Sequence, residues 1–316
     1  MLEFKVIFLG TAGGVHTKYR SLPCIVFRRG GEVFVFDCGE GAQRQFIISG
    51  IGFPSKFRIF ISHLHGDHLF GLPGLLQTMS LMGRSDPVEI YGPRGIINFL
   101  EALKKTVGLN LTFNLDVNEV YDGLILESDE YIIHSVLTEH SIPCLAYSFE
   151  EKPKPGRFNP DKALKLGVPK GPLWKRLQKG FSVRNIRGEI IFPEDVLGPP
   201  RRGVKVVYSG DTRPCSSLVE LARNADMLIH EATFDDSLKG RAVSEGHSTA
   251  SEAATIALKA GVKLLVLTHI SARYCLNDNI LLEQAKKIFR NVIIAQDFMT
   301  VKIFPKFEVE TIGSKS

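Results

Sequence analysis

An α/β protein, with helices laid over the faces of sheets, is the fold class this sequence predicts, and two observations predict it. Short runs rich in β-branched and aromatic residues recur along the chain, and each ends on a polar residue. Between them, in both halves of the chain, lie stretches with apolar residues at helical spacing. Elements interleaved in this way stack as layers around a shared core. The composition agrees. A chain of 316 residues, 44% hydrophobic and 23% charged, has the size for a large core and excludes disordered, collagen-like and coiled-coil classes.

In chain order, the opening MLEFKVIFLG alternates like a first strand and lacks the charged start, apolar stretch and cleavage site of a secretory signal. Thr11-Ala12-Gly13-Gly14 follows it. Its N–H groups could approach a phosphate, and a simple tight turn is an equal reading. The run 57–61 leads to Ser62-His63, and a helical pattern follows His68 with Leu69, Leu72, Leu75, Leu76 and Met79 on one face. The run 131–137 leads to Glu139-His140. Residues 151–180 then break the pattern with Pro and Gly throughout and read as a protruding insertion in an otherwise single domain spanning 1–316. Runs 204–208, 227–229 and 263–267 end at Gly210-Asp211, His230-Glu231 and Thr268-His269. A helix over 250–259 is opened by the capping box Thr249-x-x-Glu252 and closed by Gly261, and another spans 279–289. Polar residues at the carboxyl ends of several strands gather at one sheet edge, where α/β proteins bind their ligands.

Five cysteines are scattered with no C-x-x-C pair, which suits reduced thiols in the cytoplasm and gives no cysteine-based metal site. No apolar run approaches the roughly 18 residues that cross a bilayer, so no membrane partner is expected.

The strongest local signal is His63-Leu64-His65-Gly66-Asp67-His68. A lone histidine at a strand end is more often a surface or hydrogen-bonded residue. Three imidazoles and a carboxylate so close together call for a cation, because these groups are ligands for zinc-like ions. His140, Asp211 and His269 stand at other strand ends and complete the set. Seven candidate ligands exceed one tetrahedral site and suit two ions sharing a carboxylate. His16 and His134 lie outside any such context and read as structural.

The pattern resembles the metallo-β-lactamase superfamily, whose fold is an αββα sandwich with a two-zinc edge. FDCGEGAQRQ (36–45), SHLHGDH (62–68), GDTRP (210–214), HEATF (230–234), HST (247–249) and THISARY (268–274) resemble, more closely, the short form of the tRNase Z family of tRNA 3′-processing endoribonucleases. The resemblance implies two zinc ions per subunit. It assigns His63, His65 and His140 to one, Asp67, His68 and His269 to the other, and Asp211 to both. It makes Asp67 the proton acceptor, His247 the proton donor and Glu231 the partner of that imidazole. A carboxylate at a helix start beside cations holds a low pKa and is a poor base, which suits orienting the water, whose own pKa the cations lower too. Ser271 and Arg273 are candidate contacts to the scissile phosphate, with an ion-pairing surface arginine as the alternative for Arg273.

Between 151 and 180 there are nine Lys and Arg against two acids, more than the whole net charge of +5, so the rest of the chain is net acidic. Such a segment attracts a phosphate backbone without reading bases. With Gly171-Pro172, Lys175 and Arg176 it resembles the family's flexible tRNA-gripping arm. The implied function is removal of the 3′ trailer of precursor tRNA after the discriminator nucleotide, by a cytoplasmic homodimer with no DNA partner. A metallo-hydrolase of small phosphodiesters or thioesters is the alternative.

Overall fold

The computed structural model describes residues 3–303 and 308–311. Through these residues the chain forms two compact units. The larger takes in the chain up to Glu127, Ile133–Phe149 and the residues from Val204 onward; the smaller takes in Ser128–Ile132 and Glu150–Gly203.

Two sheets dominate the larger unit. The first orders its strands Glu308–Thr311, Met299–Lys302, Phe4–Gly10, Cys24–Arg29, Glu32–Phe36, Lys56–Phe60, Val88–Gly92 and Leu115–Glu119. The second runs Val292–Ile294, Leu264–Thr268, Met227–Glu231, Lys205–Tyr208, Cys144–Glu151, Tyr131–Thr138 and Gly123–Glu127. Aromatic rings from the two sheets meet: Phe36 lies 5.9 Å from Tyr147 and 6.1 Å from Tyr208, and Phe4 lies 5.0 Å from Phe149. Helices cover the outer faces. Ala42–Ser49, Leu72–Leu81 and Ile96–Val107 bury Phe46, Leu75, Met79 and Leu100 with Val35, Ile59 and Ile90 of the first sheet. Ser216–Leu221, Ala250–Ala260 and Asn279–Ile288 bury Leu218, Ala254, Ala257 and Leu281 with Leu228 and Leu265 of the second. The layer order is helix, sheet, sheet, helix: the αββα sandwich.

Helix ends follow their chemistry. Thr249 Oγ1 accepts from the Glu252 N–H, the Glu252 carboxylate accepts from the Thr249 N–H, and Gly261 closes the helix in the left-handed conformation. The pattern after His68 differs from a single helix. It is one turn, Gly66–Leu69, followed by Leu72–Leu81. At the break the Gly71 N–H donates to the Cys38 carbonyl, and a Cβ on Gly71 would lie 1.9 Å from the Gly39 oxygen. This close backbone approach, which an apolar stripe does not reveal, docks the histidine-rich turn onto the loop after Phe36.

The smaller unit contains the 151–180 segment and extends beyond it. It has its own core of Ala163, Val168, Leu177, Val183, Ile191 and Val196. Three short helices, Pro160–Lys165, Pro172–Gln178 and Pro193–Val196, each start on proline, whose missing N–H costs nothing there. Val183–Arg184 pairs with Ile190–Ile191 as a hairpin, and the Trp174 indole donates to the Val168 carbonyl.

Candidate metal centre

Four parallel strands of the two sheets deliver the chemistry at their carboxyl ends. Lys56–Phe60 leads to His63, Lys205–Tyr208 to Asp211, Met227–Glu231 carries Glu231, and Leu264–Thr268 leads to His269. Tyr131–Thr138 adds His140, and the turn Gly66–Leu69 adds Asp67 and His68. The chain turns sharply to make these placements. His269 holds φ +56° and Asp37 φ +59°, left-handed values that side-chain-bearing residues rarely adopt. A Cβ on Gly13 would lie 2.5 Å from His269 Nδ1, so only glycine lets that imidazole stand where it does.

All seven predicted ligands converge. His63, His65 and His140 form one group whose ligand atoms could hold an ion together; Asp67, His68 and His269 form another. In the first, His65 Nδ1 lies 3.0 Å from His63 Nε2 and 3.2 Å from His140 Nε2. In the second, Asp67 Oδ2 lies 3.6 Å from His68 Nε2 and 3.4 Å from His269 Nε2. Asp211 Oδ2 reaches both, at 3.7 Å from His63 Nε2, 3.3 Å from His68 Nε2 and 3.4 Å from His269 Nε2. His68 Nε2 and Asp211 Oδ1 are buried and make no hydrogen bond. Buried polar atoms without partners are costly, and divalent cations are the natural partners for inward-facing imidazole and carboxylate. The donor set therefore fits two such ions. His63 and His65 are pushed below the usual histidine range, by burial first and neighbouring imidazoles second, which favours the neutral, ligating form.

Outward-facing atoms are tied down in turn. His68 Nδ1 lies 2.7 Å from Asp37 Oδ2 and His140 Nδ1 lies 2.8 Å from the Gly246 carbonyl. Asp37 is fully buried and also accepts from the Ser62 N–H, the Ser62 hydroxyl and the Tyr208 hydroxyl. The sequence reading gave Asp37 no role, although it too stands just past a strand end, and the strand-end rule would have found it.

Beside the ligands, His247 Nδ1 lies 2.9 Å from Glu231 Oε1 and 3.9 Å from Asp211 Oδ2. Burial disfavours the His247 imidazolium, but the Glu231 carboxylate outweighs it and the pKa is raised to about 9. Burial works against the Asp67 carboxylate as well, yet His269 and His68 hold it well below the usual range. Arg213 braces the His247 loop. Its guanidinium donates to the His247 carbonyl and forks onto both oxygens of Glu252, at 2.6 to 2.9 Å. His230, adjacent in sequence to Glu231, is buried with Nδ1 against the Glu231 carbonyl and joins none of the metal-holding groups.

The remaining predicted contacts divide. Ser271 lies on the short strand Ile270–Ser271, paired with Ala12–Gly13, and exposed Arg273 lays its guanidinium 5.1 Å over the Phe234 ring. Phe234 in turn lies 6.0 Å from the His247 ring. The Gly14 N–H, read as a possible phosphate contact, donates to Asp67 Oδ2 at 2.9 Å. Gly171, Pro172, Lys175 and Arg176 belong to the smaller unit, exposed along the helix Pro172–Gln178 or at its start. His16, read as structural, is exposed and lies 4.0 Å from Glu40.

Comparison with known proteins places this geometry. The model of the β-lactamase superfamily domain matches residues 196–270, and that of the anti-Pycsar protein Apyc1 matches residues 4–144. Ribonuclease Z of Methanosarcina acetivorans is 46% identical over 95% of this chain and 98% of its own length, and that of Methanothermobacter thermautotrophicus is 48% identical over 95% and 96%. The chain belongs to the ribonuclease Z family. It is therefore an endoribonuclease, a hydrolase. The crystal structure of human tRNase Z, short form, superposes on this ribonuclease Z family member with a TM-score of 0.69 at 30% identity, covering 95% of this chain and 99% of the human one. The metallo-β-lactamase fold protein YhfI of Bacillus subtilis, at 22% identity and a TM-score of 0.68, shares the fold.

Proposed function

We propose that this chain cleaves precursor tRNA after the discriminator nucleotide, releasing the 3′ trailer and leaving a 3′-hydroxyl on the tRNA. The observation that carries the reading is the Glu231–His247 pair standing 3.9 Å from Asp211, beside two groups of side chains fit for divalent ions. Two bound zinc ions would supply positive charge for the phosphate oxygens and lower the pKa of the attacking water. His63, His65 and His140 would hold one ion, Asp67, His68 and His269 the other, and Asp211 would serve both.

Water attacks the phosphorus while the bond to the 3′-oxygen of the discriminator nucleotide breaks. Asp67, fixed by the Gly14 N–H, orients the water and accepts its proton. His247 protonates the departing 3′-oxygen. Its Nδ1 is taken by Glu231, so the proton leaves from Nε2. Arg273 and Ser271 neutralise and position the scissile phosphate. Lys175 and Arg176, with the chain bend at Gly171-Pro172, grip the tRNA backbone, a role suited to exposed basic side chains.

A homodimer is part of this reading. Ile47 and Ile48 on Ala42–Ser49, and Leu81 and Met82 at the end of the neighbouring helix Leu72–Leu81, are exposed apolar side chains of a kind that a second copy covers. A cytoplasmic setting accords with five unpaired cysteines. No helix among the described residues is long and apolar enough to cross a membrane.

The test is incubation with one precursor tRNA, with and without chelator, followed by mapping of the new 3′ end. A single cut after the discriminator nucleotide, abolished by chelation and restored by zinc, is expected. Cleavage indifferent to chelation would overturn the reading. So would an inert precursor beside rapid hydrolysis of a small phosphodiester or thioester.

A further inference from the structure

Two buried carboxylates in the centre are wired alike. Asp37 meets His68 Nδ1 directly at 2.7 Å and reaches His63 through the Ser62 hydroxyl, which lies 2.8 Å from Asp37 Oδ2 and 2.9 Å from His63 Nδ1. Glu231 meets His247 Nδ1 directly at 2.9 Å and reaches His269 through the Thr233 hydroxyl, which lies 2.7 Å from Glu231 Oε2 and 2.8 Å from His269 Nδ1. Each carboxylate thus directs one imidazole by contact and a second through a hydroxyl.

Proton counting gives the arrangement a direction. Glu231 accepts from the backbone N–H groups of Thr212 and Thr233, which can only donate, so its oxygens act as acceptors. A threonine hydroxyl has one proton. Given to Glu231 Oε2, it leaves the Thr233 oxygen only lone pairs to offer His269 Nδ1. That nitrogen must then carry a hydrogen, and Nε2, on the side of Asp67 and Asp211, keeps its lone pair. The same count applies to Ser62, whose proton goes to Asp37 and whose lone pair receives the Nδ1–H of His63.

We propose that Thr233, matched by Ser62 in the other half of the centre, is a positioning residue that sets the Nδ1–H tautomer of its histidine and so presents Nε2 to the metal. The inference rests on the metal centre proposed above, but it concerns proton placement in the protein itself and stands apart from what RNA is cut. It also explains how a ligand with a strained backbone keeps one orientation. His269 is pinned by glycine-only space at Gly13 on one side and by the Thr233 hydroxyl on another.

The experiment is nitrogen NMR of the metal-free full chain with 15N-labelled histidine, at alkaline pH, for wild type, Thr233→Val and Thr233→Ser. In wild type and Thr233→Ser, His269 should carry its hydrogen on Nδ1. In Thr233→Val, which keeps the shape and loses the hydroxyl, the Nε2–H form should gain population while His140, held by a backbone carbonyl, does not change. Chelator competition should then show one of the two ions bound about 10- to 100-fold more weakly in Thr233→Val and recovered in Thr233→Ser. Wild-type His269 protonated on Nε2 would overturn the proposal whether or not the valine variant folds. Equal tautomers and equal metal affinity in Thr233→Val would overturn it too. Loss of tRNA cleavage specificity with these signals unchanged would instead count against the substrate reading.

Discussion

In the larger unit, seven candidate ligands stand just past strand ends or on the turn Gly66–Leu69, backed by two sheets and six helices, and four of the five imidazoles have a partner on the outward nitrogen. In the smaller unit, three short helices and a hairpin of two residues per strand close over six buried aliphatic side chains, and seven of the nine basic residues of 151–180 are exposed. The first unit is organised to hold atoms in place and the second to present charge. Precision at a reacting phosphate needs side chains locked by their neighbours, whereas attraction of a polyanion needs only charge at the right density. The difference predicts which variants change turnover and which change binding.

The sharpest way to break this contrast is His247→Ala. It removes the side chain proposed to protonate the leaving oxygen and leaves all seven candidate ligands. Turnover on precursor tRNA should fall about 10²- to 10⁴-fold, with two ions per chain retained by elemental analysis. A variant that loses metal would make His247 a ligand, a role its nitrogen could take in the groups formed with Asp211 and His140 or with Glu231 and His269.

Next comes the small core. Leu177 is fully buried, and Leu177→Ala should cost about 2 to 5 kcal/mol. Because the unit has few other buried residues, the loss should appear as early proteolytic cutting within 150–203. Hydrolysis of a small phosphodiester by the larger unit should continue unchanged. If that activity also collapses, the two units do not act separately.

A smaller effect is expected from the double substitution Lys175→Ala and Arg176→Ala. KM for precursor tRNA should rise several-fold with kcat preserved. The slope of log affinity against log salt should become shallower by about one for each phosphate that the variant no longer neutralises. An unchanged salt slope would remove these two residues from the RNA-binding surface.

What could be read without a structure follows the same contrast. The candidate ligands were legible because histidine and aspartate at strand ends violate the ordinary expectation of a solvated loop, and strand ends converge by topology. The split at Gly71 was not legible, because it depends on the carbonyls of Cys38 and Gly39 approaching from another loop. Thr233 and Ser62 were hidden for a different reason. A hydroxyl next to a motif residue carries no periodic or charge signal, and its role exists only when His269 or His63 arrives beside it. The basic insertion was visible in composition, while its extent to residue 203 was not, since Val183, Ile191 and Val196 join its core through long-range packing that local composition does not encode.

The mildest expected effect concerns the brace behind His247. Burial raises the Glu252 carboxyl, but the Arg213 guanidinium and the Thr249 N–H outweigh it and hold the pKa below 4.5. A carboxylate whose pKa is lower in the folded chain than in the unfolded one contributes stability above the unfolded value, and that contribution is lost as pH falls through the folded value. Glu252→Gln keeps the shape and removes the charge. It should lower stability by about 1 kcal/mol at neutral pH, the size of a weakened cap and ion pair, and the gap to wild type should narrow below pH 4.5. Urea midpoints measured from neutral pH down to about pH 3 give the comparison. A gap that stays constant through the acid range would mean that the Glu252 charge does not contribute, and that Arg213 holds the His247 carbonyl without it.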